Sequence, residues 1–181
     1  MGSRIAGFPV EYSYALAEVP TARDPKDFHR IHRLKGRPET KPVLYLAGSL
    51  EIVSRFAFLP EDPSRRRILE SGPRFLTFLL PARPLALALG MAKGGKVAFR
   101  IPPEIRLRDF LSYLGEPLSG TSLNLSGSPP LRNAGEIREV FPDLALVDGG
   151  FRPGAPVSPI LDFSTHDRPI RRRSWRSLPV R

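Results

Sequence analysis

Short, continuously apolar runs set the strongest limit on what this chain can fold into. Val43–Ala47, Phe75–Leu80, Leu85–Leu89, Lys96–Ile101, Leu144–Val147 and Val157–Leu161 each have the length of a strand. Several lack the alternation expected of a sheet with one wet face, so they predict strands covered by helices on both sides. Phe75–Leu80 and Leu85–Leu89 read as two strands joined by a turn at Pro81, Arg83 and Pro84. The same interruption excludes a single apolar membrane span there.

Helix signals fall between these runs. Asp24 before Pro25 is a good start, since a carboxylate can cap free amides and proline suits a first turn. Phe28, Ile31 and Leu34 supply its apolar face, and Gly36 can end it. Ser49 opens a second helix carrying Ile52, Val53 and Phe56, and Ser64 a third that ends near Gly72. A fourth spans Pro103 to Leu114, with Ile105, Phe110, Leu111 and Leu114 inward and Gly115 after it. Asn133 with Glu136 resembles a capping box, with Ile137 and Val140 buried behind it. The expectation is a single mixed α/β domain over residues 1–167, followed by a basic C-terminal tail, 168–181.

Composition narrows the chemistry. The chain of 181 residues is long enough for one real core. Without cysteine it can have neither a disulfide framework nor a thiolate metal site. The three histidines, His29, His32 and His166, do not suggest a metal cage, and His29 with His32 reads as a pair on a helix surface. No metal-ligating residues are expected. A net charge of +10 concentrates phosphates and nucleic acids near the protein. In the tail, Arg168, Arg171, Arg172, Arg173, Arg176 and Arg181 surround Trp175, a mixture that can grip phosphates and stack a base. No long apolar segment follows Met1, so a cytoplasmic protein is expected, with no membrane partner.

The familiar nucleotide and hydrolase signatures are missing: there is no Walker loop, G-x-S-x-G elbow or H-E-x-x-H. Two other patches stand out. Lys35-Gly36-Arg37-Pro38, with Lys41 just after, can point a compact ammonium and a planar guanidinium into one cleft. Taken alone, it also fits a cation cluster at a helix C-terminus. Thr121-Ser122-Leu123-Asn124-Leu125-Ser126-Gly127 offers hydroxyls and an amide that orient a ligand without adding charge, or a polar strand end with a turn.

In combination, Lys35-x-Arg37 and Ser122-x-Asn124 resemble the paired K-x-R and S-x-N motif of the YrdC/TsaC family. Pro9-Val10-Glu11-Tyr12-Ser13-Tyr14-Ala15-Leu16 resembles the family's opening P-T-[DE]-T-x-Y-G-L. Leu76-Thr77-Phe78, Arg100-Ile101-Pro102, Asp148-Gly149-Gly150 and Pro156-Val157-Ser158-Pro159 resemble further family segments in the right order. The resemblance implies a YrdC-like twisted mixed sheet, flanked by helices around a basic cavity. It implies a threonylcarbamoyladenylate synthase that condenses ATP, bicarbonate and L-threonine, with Mg²⁺, for the t6A modification of tRNA.

By position, the resemblance gives Lys35, Arg37 and Lys41 to the triphosphate, and Arg100 to the carbamate or α-phosphate. Thr77, Thr121, Ser122, Asn124 and Ser158 would orient the nucleotide and amino acid. The opening motif departs from the family: Val10 and Tyr12 replace its threonines and Ala15 its glycine, and valine cannot donate a hydrogen bond. The strand and helix that precede this motif in the family are expected to be absent. The same features also fit a non-catalytic YrdC-like module that binds nucleotide or RNA.

Overall fold

The computed structural model describes residues 5–18, 30–38, 40–71, 76–154, 158–164 and 170–172. The elements follow in the order β1 (Ile5–Val10), β2 (Ser13–Glu18), α1 (Arg30–Leu34), β3 (Leu44–Leu46), α2 (Leu50–Phe56), α3 (Pro63–Glu70), β4 (Thr77–Pro81) and α4 (Pro84–Ala88). They continue with β5 (Lys96–Arg100), α5 (Ile105–Leu114), β6 (Leu118–Ser122), α6 (Ala134–Val140), β7 (Ala145–Leu146), β8 (Ile160–Asp162) and β9 (Ile170–Arg172). All the strands join one nine-stranded sheet, in the order β7-β1-β2-β6-β3-β5-β4-β8-β9. It is mixed: β1–β7, β3–β5 and β4–β8 run parallel, and the other pairs antiparallel.

Both faces are covered, as the unbroken apolar runs predict. Side chains alternate along a strand, so neighbours in β3 and β2 report opposite faces. Tyr45 packs with Phe78 and Phe99 against Ile52, Val53 and Phe56 of α2 and Ala86 of α4. Leu16 and Tyr14 lie with Ile31 of α1 and Ile137 of α6. Leu46, Ala15 and Ala17 project the other way, against Leu107 and Leu111 of α5.

The caps explain where most helices begin. Ser49 accepts from the Ile52 amide, Asp62 from Arg65, Glu104 from Leu107, and Asn133 from Glu136. The third helix therefore starts at Asp62-Pro63, two positions before the predicted Ser64. Pro63 supplies the preset φ of a first turn and needs no amide partner there.

Other expectations are corrected. Leu85–Leu89 is not a strand: Pro84–Ala88 forms α4. The run alternates leucine and alanine, both strong helix formers, and contains no β-branched residue. In α5 the buried residues are Leu107 and Leu111, four apart, whereas Ile105 and Phe110 are exposed. The cap at Glu104 sets the helix phase, and that phase turns them outward. Val140 is partly exposed as well, and His32 is buried rather than on the surface. A strand does precede the opening turn, formed by Ile5–Val10 itself. The start signal at Asp24 and most of the basic tail lie outside the described residues; Ile170–Arg172 pairs with β8 as an edge strand.

Gly48 joins β3 to the cap of α2, and the backbone of α5 crosses directly over it. A Cβ there would meet the Arg108 carbonyl oxygen at 2.8 Å and the Ser112 amide and hydroxyl more closely still. Gly48→Ala should therefore destabilise the domain by about 1–3 kcal/mol, because two backbones must separate. Urea unfolding of the variant against wild type measures it, and an unchanged midpoint would contradict this packing.

Candidate functional site

The end of α1 and the end of β6 meet. Lys35 follows the last residue of the helix, its amide still bonded to the Ile31 carbonyl. Gly36 then turns the chain at φ +57°, and the Arg37 amide bonds back to His32 O at 2.8 Å. A residue with a Cβ is strained at that angle, so glycine lets Lys35 and Arg37 flank one tight turn.

Lys35 is almost fully buried. Its Nζ donates to the Ser122 carbonyl oxygen and, at 2.7 Å, to Asn124 Oδ1. Ser122 Oγ donates to the same Asn124 oxygen at 2.7 Å, and Asn124 Nδ2 donates to Ser128 O at 2.6 Å. The Ser126 amide donates to the Lys35 carbonyl, which ties the two segments by backbone as well. Arg37 Nη1 donates to Thr121 Oγ1 at 3.0 Å, and Nη2 to Pro42 O at 2.7 Å. Residues more than eighty positions apart thus share one hydrogen-bonded cluster.

The Ser122 and Asn124 oxygens that the Lys35 ammonium meets are both neutral. Burial, and then the neighbouring Arg37 charge, lowers its pKa from 10.5 to about 7. An anion entering beside Lys35 and Arg37 would meet two cations already turned toward β6. The chemistry on offer is recognition of phosphate or carboxylate, with the amide and hydroxyls fixing orientation.

A second group lies at the far end of β5. Arg100 Nη2 donates to Glu11 Oε2 at 2.6 Å, and both side chains are about nine-tenths buried. Burial lowers the Arg100 pKa, and Glu11 works against that shift. Phe78 pairs with Phe99, so one step on Thr77 stands beside Arg100 on the same face. Thr77 Oγ1 and Ser158 Oγ are 2.8 Å apart and buried.

The Arg100–Glu11 contact crosses the sheet. Glu11 sits in the turn between β1 and β2, and β6 and β3 intervene between β2 and β5. At ordinary strand spacing that is about 14 Å, so the turn is folded over the sheet. The segment after β7 holds it down. Tyr14 Oη accepts from the Gly149 amide at 2.9 Å and lies 2.8 Å from Gly150 O. The Gly154 amide donates to Tyr12 O, and Arg152 Nη1 to Glu11 O at 3.3 Å.

The sequence-predicted residues therefore fall into two sets. Lys35, Arg37, Thr121, Ser122 and Asn124 form one; Thr77, Ser158 and Arg100 line the other. Lys41 is exposed on the turn beside them. Val10 packs into the apolar cluster under α5, and Tyr12 is 54% exposed at the turn. Glu11 and Arg152 were given no role by sequence reasoning. A carboxylate between the apolar strands Ile5–Val10 and Ser13–Glu18 was the available signal for Glu11.

Comparison with known proteins gives a consistent picture. The Sua5/YciO/YrdC family model, described as "Telomere recombination", matches residues 3–174. A threonylcarbamoyl-AMP synthase of Dichelobacter nodosus is 29% identical over 167 residues, covering 92% of this chain and 86% of the relative. Its counterpart in Neisseria gonorrhoeae is 30% identical over 167 residues, covering 91% and 87%. P. abyssi Sua5, solved in complex with L-threonine, superposes with a TM-score of 0.77 at 26% identity. The match covers 93% of this chain but spans about half of the Sua5 chain, 49%.

The Lys35 pKa gives a pH signature. Below about 7 the group is an ammonium and attracts a polyanion; above it, binding must first take up a proton. Triphosphate affinity should thus fall by up to about tenfold per pH unit above that point. Calorimetry near pH 8 in buffers of different ionisation enthalpy should register proton uptake. Lys35→Met should abolish the uptake, and equal uptake in the variant would refute the assignment.

Proposed function

We propose that this chain, which belongs to the Sua5/YciO/YrdC family, is a threonylcarbamoyl-AMP synthase. The reaction joins L-threonine and bicarbonate as a carbamate, whose oxygen displaces pyrophosphate from ATP to leave threonylcarbamoyl-AMP. The product serves the t6A modification of tRNA, and the work is done in the cytoplasm. No helix among the described residues is long and apolar enough to cross a membrane.

The observation that carries this reading is the joint hold of Ser122 and Asn124 on Lys35, with Arg37 on Thr121 alongside. Displacement at the α-phosphate brings two anions together, so cations must offset their repulsion in place before the reaction. Lys35 and Arg37 meet the triphosphate, and Lys41 extends the same cationic rim. Ser122, Asn124 and Thr121 fix the direction of those cations and of the nucleotide. Arg100 takes the carbamate, while Thr77 and Ser158 orient the amino acid. No covalent nucleophile is needed.

Mg²⁺ belongs to the substrate in this scheme. The ion arrives with ATP on phosphate oxygens, which is the usual mode for magnesium.

One feature favours a second reading. Val10 is buried among apolar side chains where the resemblance implies a threonine hydroxyl, so a module that binds nucleotide or RNA without turnover is the rival.

Incubation with ATP, Mg²⁺, bicarbonate and L-threonine separates the two. The enzyme should release pyrophosphate and form an adenylate of the expected mass. Lys35→Ala and Arg37→Ala should each cut the rate by about 10²–10³-fold, the scale for losing one prepositioned electrostatic group. Absence of product with every amino acid tested would leave the binding module standing.

A further inference from the structure

Glu11 is half used. Its Oε2 takes the Arg100 guanidinium, but its Oε1 is buried with no hydrogen-bond partner among the described residues. Folded proteins rarely leave a buried carboxylate oxygen without a donor, and the exceptions tend to have a function. Arg100 stands beside Thr77, whose hydroxyl meets Ser158, while Leu79, Ala98 and Ile160 form the apolar floor of the neighbouring strands.

The turn that carries Glu11 is held in place. The Glu11 carbonyl receives Arg152, the Tyr12 carbonyl receives the Gly154 amide, and the adjoining glycines are bound by Tyr14. These bonds fix the backbone on either side of Glu11 and so limit where its carboxylate can lie. A fixed, desolvated carboxylate oxygen is suited to a cationic hydrogen-bond donor.

Of the charged groups in the proposed reaction, only one fits. Phosphates and bicarbonate are anions, and the carboxylate would repel them. The α-ammonium of the amino acid is cationic and carries three donors. We propose that Glu11 Oε1 receives the α-ammonium of the amino acid substrate while Oε2 stays on Arg100, which makes Glu11 the residue that selects for an amine. This inference rests on the synthase reading for the identity of the ligand, and on Glu11 alone for its site.

The same contact serves the chemistry. Carbamate formation makes a bond from nitrogen to the bicarbonate carbon and breaks one carbon–oxygen bond. The ammonium gives up two protons: one leaves with the departing hydroxide as water, and Glu11 takes the other. Charge and atoms balance, and no further reactant is required.

The test compares L-threonine with its analogue bearing a hydroxyl in place of the amine, by calorimetry on the full chain with a non-hydrolysable ATP analogue bound. Wild type should favour L-threonine at least about tenfold, the scale of a charge-assisted hydrogen bond. Glu11→Gln, which can still accept from Arg100, should bring the ratio close to one and leave affinity for the ATP analogue within about twofold. Glu11→Asp, keeping the charge, should recover part of the discrimination.

A ratio preserved in Glu11→Gln overturns the proposal. So does a wild-type ratio near one, which decides the matter even if the variants fail to fold. Mg²⁺ titrated alone tests the competing occupant: tight binding that Glu11→Gln abolishes would assign the oxygen to the metal instead. Missing pyrophosphate release with an intact amine preference would sink the synthase reading and spare this one. Normal release with no amine preference would do the reverse.

Discussion

A buried ammonium organises this molecule. Lys35 sits under the end of β6, where it donates to a carbonyl and an amide oxygen, with a guanidinium two residues away. Holding that charge out of water costs stability, and burial accordingly pulls its pKa down from 10.5 to about 7. The arrangement persists because α1, β6 and the loop after it are joined by backbone as well as side chain.

The second polar group is built on the opposite principle. Arg100 has its carboxylate partner already, supplied by a turn that must reach over two strands to provide it. One set holds its cations on neutral oxygens, and the other pairs a cation with a carboxylate that has one oxygen to spare.

The sheet makes both possible. Its order places β6 between β2 and β3, so the polar end of β6 faces the turn after α1. Rigid strands and short capped helices hold the site, and irregular segments such as residues 147–154 hold the turn across it. Apolar clusters on both faces supply the stability against which a buried charge can be tolerated.

The sequence alone determined the fold class, most strand positions and the ionic character of the site. Unbroken apolar runs demand a sheet with two covered faces, and Ser49 and Asn133 announce their helices by local hydrogen bonding. Lys35, Arg37, Ser122 and Asn124 were legible because their residue types and spacing are unusual in combination. Local signals failed where two states compete over a few residues. Leu85–Leu89 is apolar enough for a strand, but its proline entry and unbranched side chains favour a helical turn. The phase of α5 shifted because a cap at Glu104, not the first apolar residue, fixes which side faces inward.

Tertiary structure alone decided who meets whom. Nothing along the chain says that Glu11 will pair with Arg100 or that one of its oxygens will be left over. The reason is physical: periodicity and capping are set within a few residues, whereas a contact across the sheet depends on strand order and on how a turn folds over it. Those belong to the assembled domain.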